Sequence, residues 1–155
     1  MINIVRAVEE HIPEIDDLWL EFMRFHQDID PVFTIRDGAV PGFENDAVRR
    51  LMRSEDGLVL VAMDKGKVIG FSLSEIRGTK VYKLEKFGAI DTMAVTSVYR
   101  RRGIGEAMLR EILNWFRSRN IDRIELEVLA KNQVSNSFWT KQGFVDYRHR
   151  LFKHI

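Results

Sequence analysis

Apolar residues Ile12, Ile15, Leu18, Trp19, Phe22 and Phe25 fall three and four positions apart, which places them on one face of a helix from Pro13 to about Gln27 with its proline in the first turn. Ala47, Val48, Leu51 and Met52 repeat the spacing and predict a shorter helix that begins near Asn45 or Asp46 and ends before Gly57. Between the two, Asp28 to Phe43 has no period and is rich in Asp, Gly and Pro, a loop long enough to carry function. Leu58 to Met63 and Val68 to Ile76 are β-rich runs around the turn signal Asp64-Lys65-Gly66-Lys67, which predicts an antiparallel hairpin, and Ala89 to Val95 is a further apolar strand. Ile104, Met108, Ile112 and Phe116, flanked by Leu109 and Leu113, define a helix from Gly103 to about Arg119 that Asn120 ends. Ile124, Leu126 and Val128 alternate with Glu125 and Glu127 in a strand over 122–129 with one buried face. Val134 to Gln142 predicts a short helix closed by Gly143, and Phe144 to Tyr147 and Arg150 to Phe152 predict closing strands.

Two helices, a hairpin and then strand–helix–strand–helix–strand imply an α/β architecture: a mixed sheet with helices on both faces. The strand 89–95, helix 103–119 and strand 122–129 fit a right-handed parallel crossover. No repeat, low-complexity tract or linker divides the chain, so residues 1–155 are expected to form a single domain. Trp19, Phe22, Phe25 and Trp115 are expected in the core, and His26 as a capping or surface histidine.

Composition narrows the chemistry. With 45% apolar and 30% charged residues the chain has what a globular core requires, and no apolar run approaches the roughly 20 residues of a membrane span. Met1 to Glu10 lacks the apolar stretch of a signal peptide, so a soluble, cytoplasmic protein is expected. The chain has no cysteine, which removes disulfides and thiol nucleophiles, and its four histidines lack metal-helix spacing, so no metal is expected. The net charge of +1 argues against nucleic-acid binding, yet residues 1–95 carry −5 and residues 96–155 carry +6. That split is either an accident of solvated faces or a sign of differently charged ligands.

Met93-Ala94-Val95 leads, across a short loop, to Arg100-Arg101-Arg102-Gly103-Ile104-Gly105 at a helix start. Unpaired N–H groups, the positive end of the helix dipole, two glycines and three guanidinium groups make this an anion site suited to a pyrophosphate, unless the basic helix start is a structural accident. It is no P-loop, since Gly66-Lys67 lacks the preceding glycine and the following Ser or Thr. It is no dinucleotide fingerprint either, because Met108 stands at the third glycine position.

Arg100-x-x-Gly103-x-Gly105 after a strand resembles the [QR]-x-x-G-x-[GA] motif of the GNAT superfamily of acetyl-CoA dependent N-acetyltransferases. Asn132-Gln133-Val134-Ser135-Asn136-Ser137-Phe138-Trp139-Thr140-Lys141-Gln142-Gly143-Phe144 is similar to a second block of that family, N-x-x-[AS]-x-x-[FL]-[YW]-x-x-x-G-F, at the usual separation of one helix and one strand. The resemblance covers residues 87–147 by motif and the rest by element order. It implies the GNAT fold, a central, mostly antiparallel sheet with one parallel crossover, and acetyl-CoA as cosubstrate. It further implies that backbone groups of Met93 and Val95 pair with the pantetheine arm, with Ala94 between them in the cofactor site, and that amides of the segment Arg101, Arg102, Gly103, Ile104 and Gly105 hold the pyrophosphate. By the same resemblance Arg100, Asn132, Ser135, Phe138 and Trp139 belong to the cofactor site. Asn132 alternatively caps the helix that follows it.

The implied reaction is direct attack of an amine on the thioester, which needs a base. Asp91 lies four residues before Val95, where some members carry a catalytic Glu, and alternation would put it on the face of Met93 and Val95; it reads as that base or as a strand-end cap. Trp139 stands where many members carry a Tyr general acid, and an indole N–H is no acid of useful strength. Tyr147 is the nearest replacement in sequence, or a packing residue on a closing strand. Residues 9–30 hold eight acidic residues against Arg24 alone, which favours a small cationic amine as acceptor. A protein N-terminus or lysine is the alternative acceptor, an acyl-CoA binding or sensing module with little turnover is the alternative role, and a homodimer is compatible with either.

Overall fold

The computed structural model describes residues 1–38 and 42–155. Its elements are β1 (Asn3–Arg6), α1 (Ile12–Ile29), α2 (Gly42–Arg53), β2 (Gly57–Asp64), β3 (Lys67–Gly78), β4 (Lys86–Val95), α3 (Ile104–Ser118), β5 (Ile124–Leu126) and α4 (Gln133–Lys141). The five strands form one sheet in chain order, β1-β2-β3-β4-β5. Its first three pairings are antiparallel and β4–β5 is parallel, so the mixed sheet and its single crossover are as the sequence implies.

Helices cover both faces. Ile12, Ile15 and Leu18 of α1 and Val48 and Leu51 of α2 pack on Val59, Val61, Phe71 and Leu73. On the other face Leu109, Ile112, Trp115 and Phe116 of α3 pack on Leu58, Leu60 and Ile90. Pro13 occupies the first turn of α1, where a missing N–H costs nothing. The two-residue turn between β2 and β3 has positive φ at both Lys65 and Gly66, the geometry that matches strand twist. Asn120, at φ +58, ends α3, with the Ile121 N–H returning to the Phe116 carbonyl at 3.0 Å.

The structure departs from the expectations at both ends of the sheet, in the tail and in the loop after α1. β1 pairs along the edge of β2, Asn3 opposite Met63 to Arg6 opposite Leu60, although three of its four residues are exposed and leave no alternation to read. β5 is three residues long instead of the eight expected over 122–129. The closing strands 144–147 and 150–152 are absent: residues 144–155 form no strand or helix, and Val145, Tyr147, Leu151 and Phe152 are exposed. Apolar β-formers supply propensity, but a strand also needs a partner edge, and the tail has no ladder partner among the described residues. Of the expected 28–43 loop, α1 takes the start to Ile29 and a single 3-10 turn takes Pro31–Phe33, while residues 39–41 lie outside the described residues.

Candidate active site

The C-terminal half of β4 is paired on one side only. β3 accompanies β4 from Gly78 opposite Lys86 to Gly70 opposite Val95, whereas β5 leaves it after Ile90 opposite Leu126. From Asp91 to Val95 the far edge of β4 therefore has backbone groups with no strand beside them, and such an edge accepts an extended, amide-bearing arm as it would another strand. Met93, Ala94 and Val95 are half-buried along it.

Asp91 sits in a bulge. Leu73 pairs with Thr92 and Ser74 with Ile90, so Asp91 is the extra residue. Ile90 and Met93 both pack toward α3, three positions apart, and Ala94 packs toward α1 and α2; strict alternation cannot produce that sequence of faces. Asp91 accordingly points away from Met93 and Val95, correcting the expectation from alternation, and its Oδ1 accepts from the Arg77 guanidinium at 2.6 Å. Arg77 also donates to Glu75 Oε1 at 2.9 Å, and Arg50 of α2 donates to Glu75 Oε2 at 3.0 Å. Partial burial, with 34% of its side chain still exposed, pushes the Asp91 carboxyl above its ordinary range, Arg77 pulls it back only in part, and Glu75 adds to the rise. Glu75 goes the other way: burial would raise it, but its bonds from Arg77 and Arg50 prevail and lower it. Two carboxyls on one face are thus driven apart, and the one kept nearer neutrality is Asp91. Arg50, Glu75 and Arg77 join this group through tertiary packing, and in the sequence their signal is an acid and a base two positions apart on β3.

Past Val95 the chain makes a 3-10 turn, Ser97–Tyr99, and then the basic helix start. Arg101 has φ +60 and Gly103 φ +75, and the first α3 bond is from the Ala107 N–H to the Gly103 carbonyl. The N–H groups of Ile104, Gly105 and Glu106 therefore precede the helix ladder and converge as a backbone nest for an anion. The two glycines do different work. Gly103 is needed for its φ, and a Cβ there would stand in open space; a Cβ on Gly105 would lie 3.3 Å from the Phe138 ring, so Gly105 lets α4 approach α3. Among the arginines, Arg100 Nε donates to the Val95 carbonyl at 3.1 Å with its guanidinium over Phe25, and Arg102 donates to the Val98 carbonyl. Arg101 makes no hydrogen bond or ion pair among the described residues, which leaves its guanidinium for a ligand. A nest, a spare cation and a strand edge that no strand among the described residues covers, its Val95 carbonyl engaged by Arg100, fit a pyrophosphate with an extended arm.

Asn132, 2% exposed, caps α4: its Oδ1 accepts the Ser135 N–H at 3.1 Å and its Nδ2 donates to the Ser135 hydroxyl at 2.9 Å. Asn136 ties the approach to α4, donating to the Leu129 and Asn132 carbonyls. Trp139 is half-buried between Phe138 and Phe144, with ring centroids 4.9 and 5.2 Å away. Tyr147 lies on no strand and is 65% exposed, under the Arg123 guanidinium at 4.4 Å. The Arg123 carbonyl bonds the Gly88 N–H, seven residues before Val95, or about 23 Å of strand. The structure thus gives Tyr147 neither the strand nor the burial expected of it.

Several acidic residues of 9–30 are already engaged. Glu9 pairs with Arg49, Glu14 accepts the Val68 N–H, Glu21 accepts from Thr96 and Ser97, and Asp30 accepts the Val32 N–H and faces Lys131. Asp28 instead lines a cleft of about 650 Å³ with Leu20, Arg24, Gln27, Arg36 and Asp37. A second cleft, between β1 and the C-terminal half of α3, lies away from this region. Trp19 packs beside the core, whereas Phe22 and Phe25 are half-exposed around His26, whose Nδ1 donates to the Phe22 carbonyl at 2.8 Å. No described helix is long and apolar enough to cross a membrane.

No curated protein matches the sequence significantly. Among solved structures, a tetramutant of the BH1408 protein from Bacillus halodurans superposes with a TM-score of 0.85 at 21% identity, covering 99% of both chains. Aminoglycoside N-acetyltransferase AAC(6')-Iy in complex with CoA gives 0.76 at 15% identity over 100% of this chain and 95% of that one. Aminoglycoside 6'-N-acetyltransferase AAC(6')-IG from Acinetobacter haemolyticus gives 0.77 at 15% over 99% and 97%. These likenesses establish the fold. The family description "Acetyltransferase (GNAT) family" matches residues 12–144, most of the chain, so the protein belongs to that family and is an N-acetyltransferase with acetyl-CoA as its acyl donor.

Proposed function

We propose that residues 1–155 act as one domain that transfers the acetyl group of acetyl-CoA to an amine of a small, cationic molecule by direct attack in a ternary complex. The observation that carries this reading is the one-sided pairing of β4 from Asp91 to Val95, running into the nest at Arg101 to Gly105. Acetyl-CoA supplies an activated acetyl thioester. The edge of Met93, Ala94 and Val95 orients the donor arm, and the amides of Ile104 and Gly105 with the Arg101 guanidinium hold the pyrophosphate. Asn132, Ser135, Phe138 and Trp139 wall the opposite side of the arm. Asp91 accepts the proton of the acceptor ammonium at Oδ2, because Arg77 occupies Oδ1 and holds the carboxyl in place. Trp139 shapes the wall and transfers no proton, so the thiolate leaves unassisted.

A small cationic acceptor is supported by the likeness to proteins named for aminoglycosides, while the α1 cleft, where Asp28 and Asp37 stand beside Arg24 and Arg36, offers carboxylates in a lining that is neutral in sum. The test is to incubate the protein with acetyl-CoA and a panel of small mono- and polyamines, beside peptides with free N-termini or lysines. Thiol release and product mass are the readouts. Efficient acetylation of a polyamine is expected. Preferred acetylation of peptides would overturn the acceptor class, and tight CoA binding without transfer to any amine would overturn the transfer reading.

A further inference from the structure

The link between β4 and the nest is held from outside by α1. Glu21, half-buried in the middle of α1, accepts the Ser97 N–H at Oε1 and the Thr96 hydroxyl at Oε2, both at 2.8 Å. The two donors are consecutive residues, and they are the first two after β4 ends. Other ties converge on the same short link. The Thr96 N–H donates to the Ile69 carbonyl, the Tyr99 hydroxyl donates to Asp64 at 2.8 Å, and the Arg100 guanidinium lies 5.1 Å from the centroid of Phe25, one turn of α1 after Glu21. Glu21 is the only charged acceptor among them that grips the link by both oxygens. Burial would raise its carboxyl, but the bonds from Ser97 and Thr96 and the charge of Arg100 outweigh that and lower it, so the group stays ionised at neutral pH.

The direction in which Val95 hands the chain to the basic helix start fixes how the free edge of β4 lines up with the nest. An arm held by the edge and an anion held by the nest belong to one molecule, so a small error in that alignment weakens both contacts. We propose that Glu21 is a positioning residue of the acetyl-CoA site: through Thr96 and Ser97 it sets the angle between the donor edge of β4 and the pyrophosphate nest. The inference rests on the donor site described above. The same helix lines the α1 cleft with Leu20, Arg24, Gln27 and Asp28, so the clamp also joins the wall of that cleft to the link after β4.

The experiment compares Glu21→Ala, Glu21→Gln and Glu14→Ala with the wild type. Glu14 lies on the same helix and accepts one backbone N–H, that of Val68 at 3.0 Å near the start of β3, and makes no bond to Thr96 or Ser97 themselves. Glutamine keeps both contacts, since its carbonyl accepts from Ser97 and its amide donates to a rotated Thr96 hydroxyl. Calorimetry with CoA gives affinity without turnover, circular dichroism checks the fold, and steady-state kinetics divide KM from kcat. Glu21→Ala is expected to weaken CoA binding about tenfold and to raise KM for acetyl-CoA more than it lowers kcat, in line with loss of a charge-assisted pair. Glu21→Gln should stay within about threefold of wild type, while Glu14→Ala should lose thermal stability and keep its CoA affinity. Unchanged CoA affinity in a folded Glu21→Ala protein would overturn the proposal. Equal weakening by Glu14→Ala would do the same, since it would mean that any loosening of α1 suffices. A wild type that does not bind CoA would overturn the donor site itself and the clamp with it.

Discussion

On the α3 side and outer edge of β4 the polar groups available to a ligand are backbone groups joined by the one guanidinium of Arg101; on the α2 side they are side chains throughout. The first region consists of a strand edge that β5 has left, positive φ at Arg101 and Gly103, and three amides ahead of the α3 ladder. The second consists of Arg50, Glu75, Arg77 and Asp91, drawn from α2, β3 and β4 and joined by hydrogen bonds of 2.6–3.0 Å. A backbone site is fixed once the strand and helix are placed, and it tolerates many side chains provided the φ angles hold. A side-chain network has no such slack, because each member sets the charge state of the next.

The comparison can be broken by substitution on each side. The largest effect is expected at Asp91→Asn, which should lower turnover about 10²-fold with CoA affinity unchanged, since the base acts on the acceptor. The loss should shrink at high pH, where free amine is abundant, and rate profiles from pH 6 to 10 that coincide with wild type would remove Asp91 from the mechanism. On the backbone side, Gly103→Val places a β-branched residue at φ +75 and should weaken CoA binding by about tenfold or more, measured by calorimetry on protein whose fold is checked by circular dichroism. Gly105→Ala should do far less, because its Cβ need only displace the Phe138 ring by a few tenths of an ångström.

A finer test asks how strongly the network sets the charge state of Asp91, the proposed base. Arg77 lowers the Asp91 carboxyl against burial and Glu75. Arg77→Met removes that pull, so the Asp91 carboxyl should rise further. A base works only when deprotonated, so the acid limb of the pH–kcat profile should move to higher pH. A limb that stays in place would separate Asp91 from the titration that governs rate. The smallest effect is expected at Trp139→Phe, which keeps the ring packing on Phe138 and Phe144 and should hold turnover within about threefold of wild type. A drop beyond about 10²-fold with CoA affinity intact would assign the indole N–H a chemical role.

The two regions were unequally legible. The helix start at Gly103, the α4 cap at Asn132 and the β2–β3 hairpin each follow from residues a few positions apart, because glycine at positive φ, an amide at an N-cap and a two-residue turn are local requirements. Alternation puts Asp91 on the face of Met93 and Val95 and the structure does not: period-two reading assumes an unbroken strand, and the bulge that opposes two residues of β4 to one of β3 is a property of the pair. Tyr147 lies off the expected closing strand for the related reason that apolar β-formers in 144–147 and 150–152 say nothing about whether an edge is free to receive them.

What the amino-acid sequence determined by itself is the order and type of most elements, the two helix-covered faces and the nest, since each depends on short-range periodicity or on one residue's backbone preference. Tertiary structure decided the rest. It recruited Asn3–Arg6 as an edge strand, parted β5 from β4 after Ile90, and gathered residues 50, 75, 77 and 91 into one network. It also assigned Glu21 to Thr96 and Ser97 across 75 positions of chain. Strand pairing and ion pairing between distant residues are contests among many partners of similar intrinsic strength, and the winner is set by which surfaces packing brings within hydrogen-bond reach.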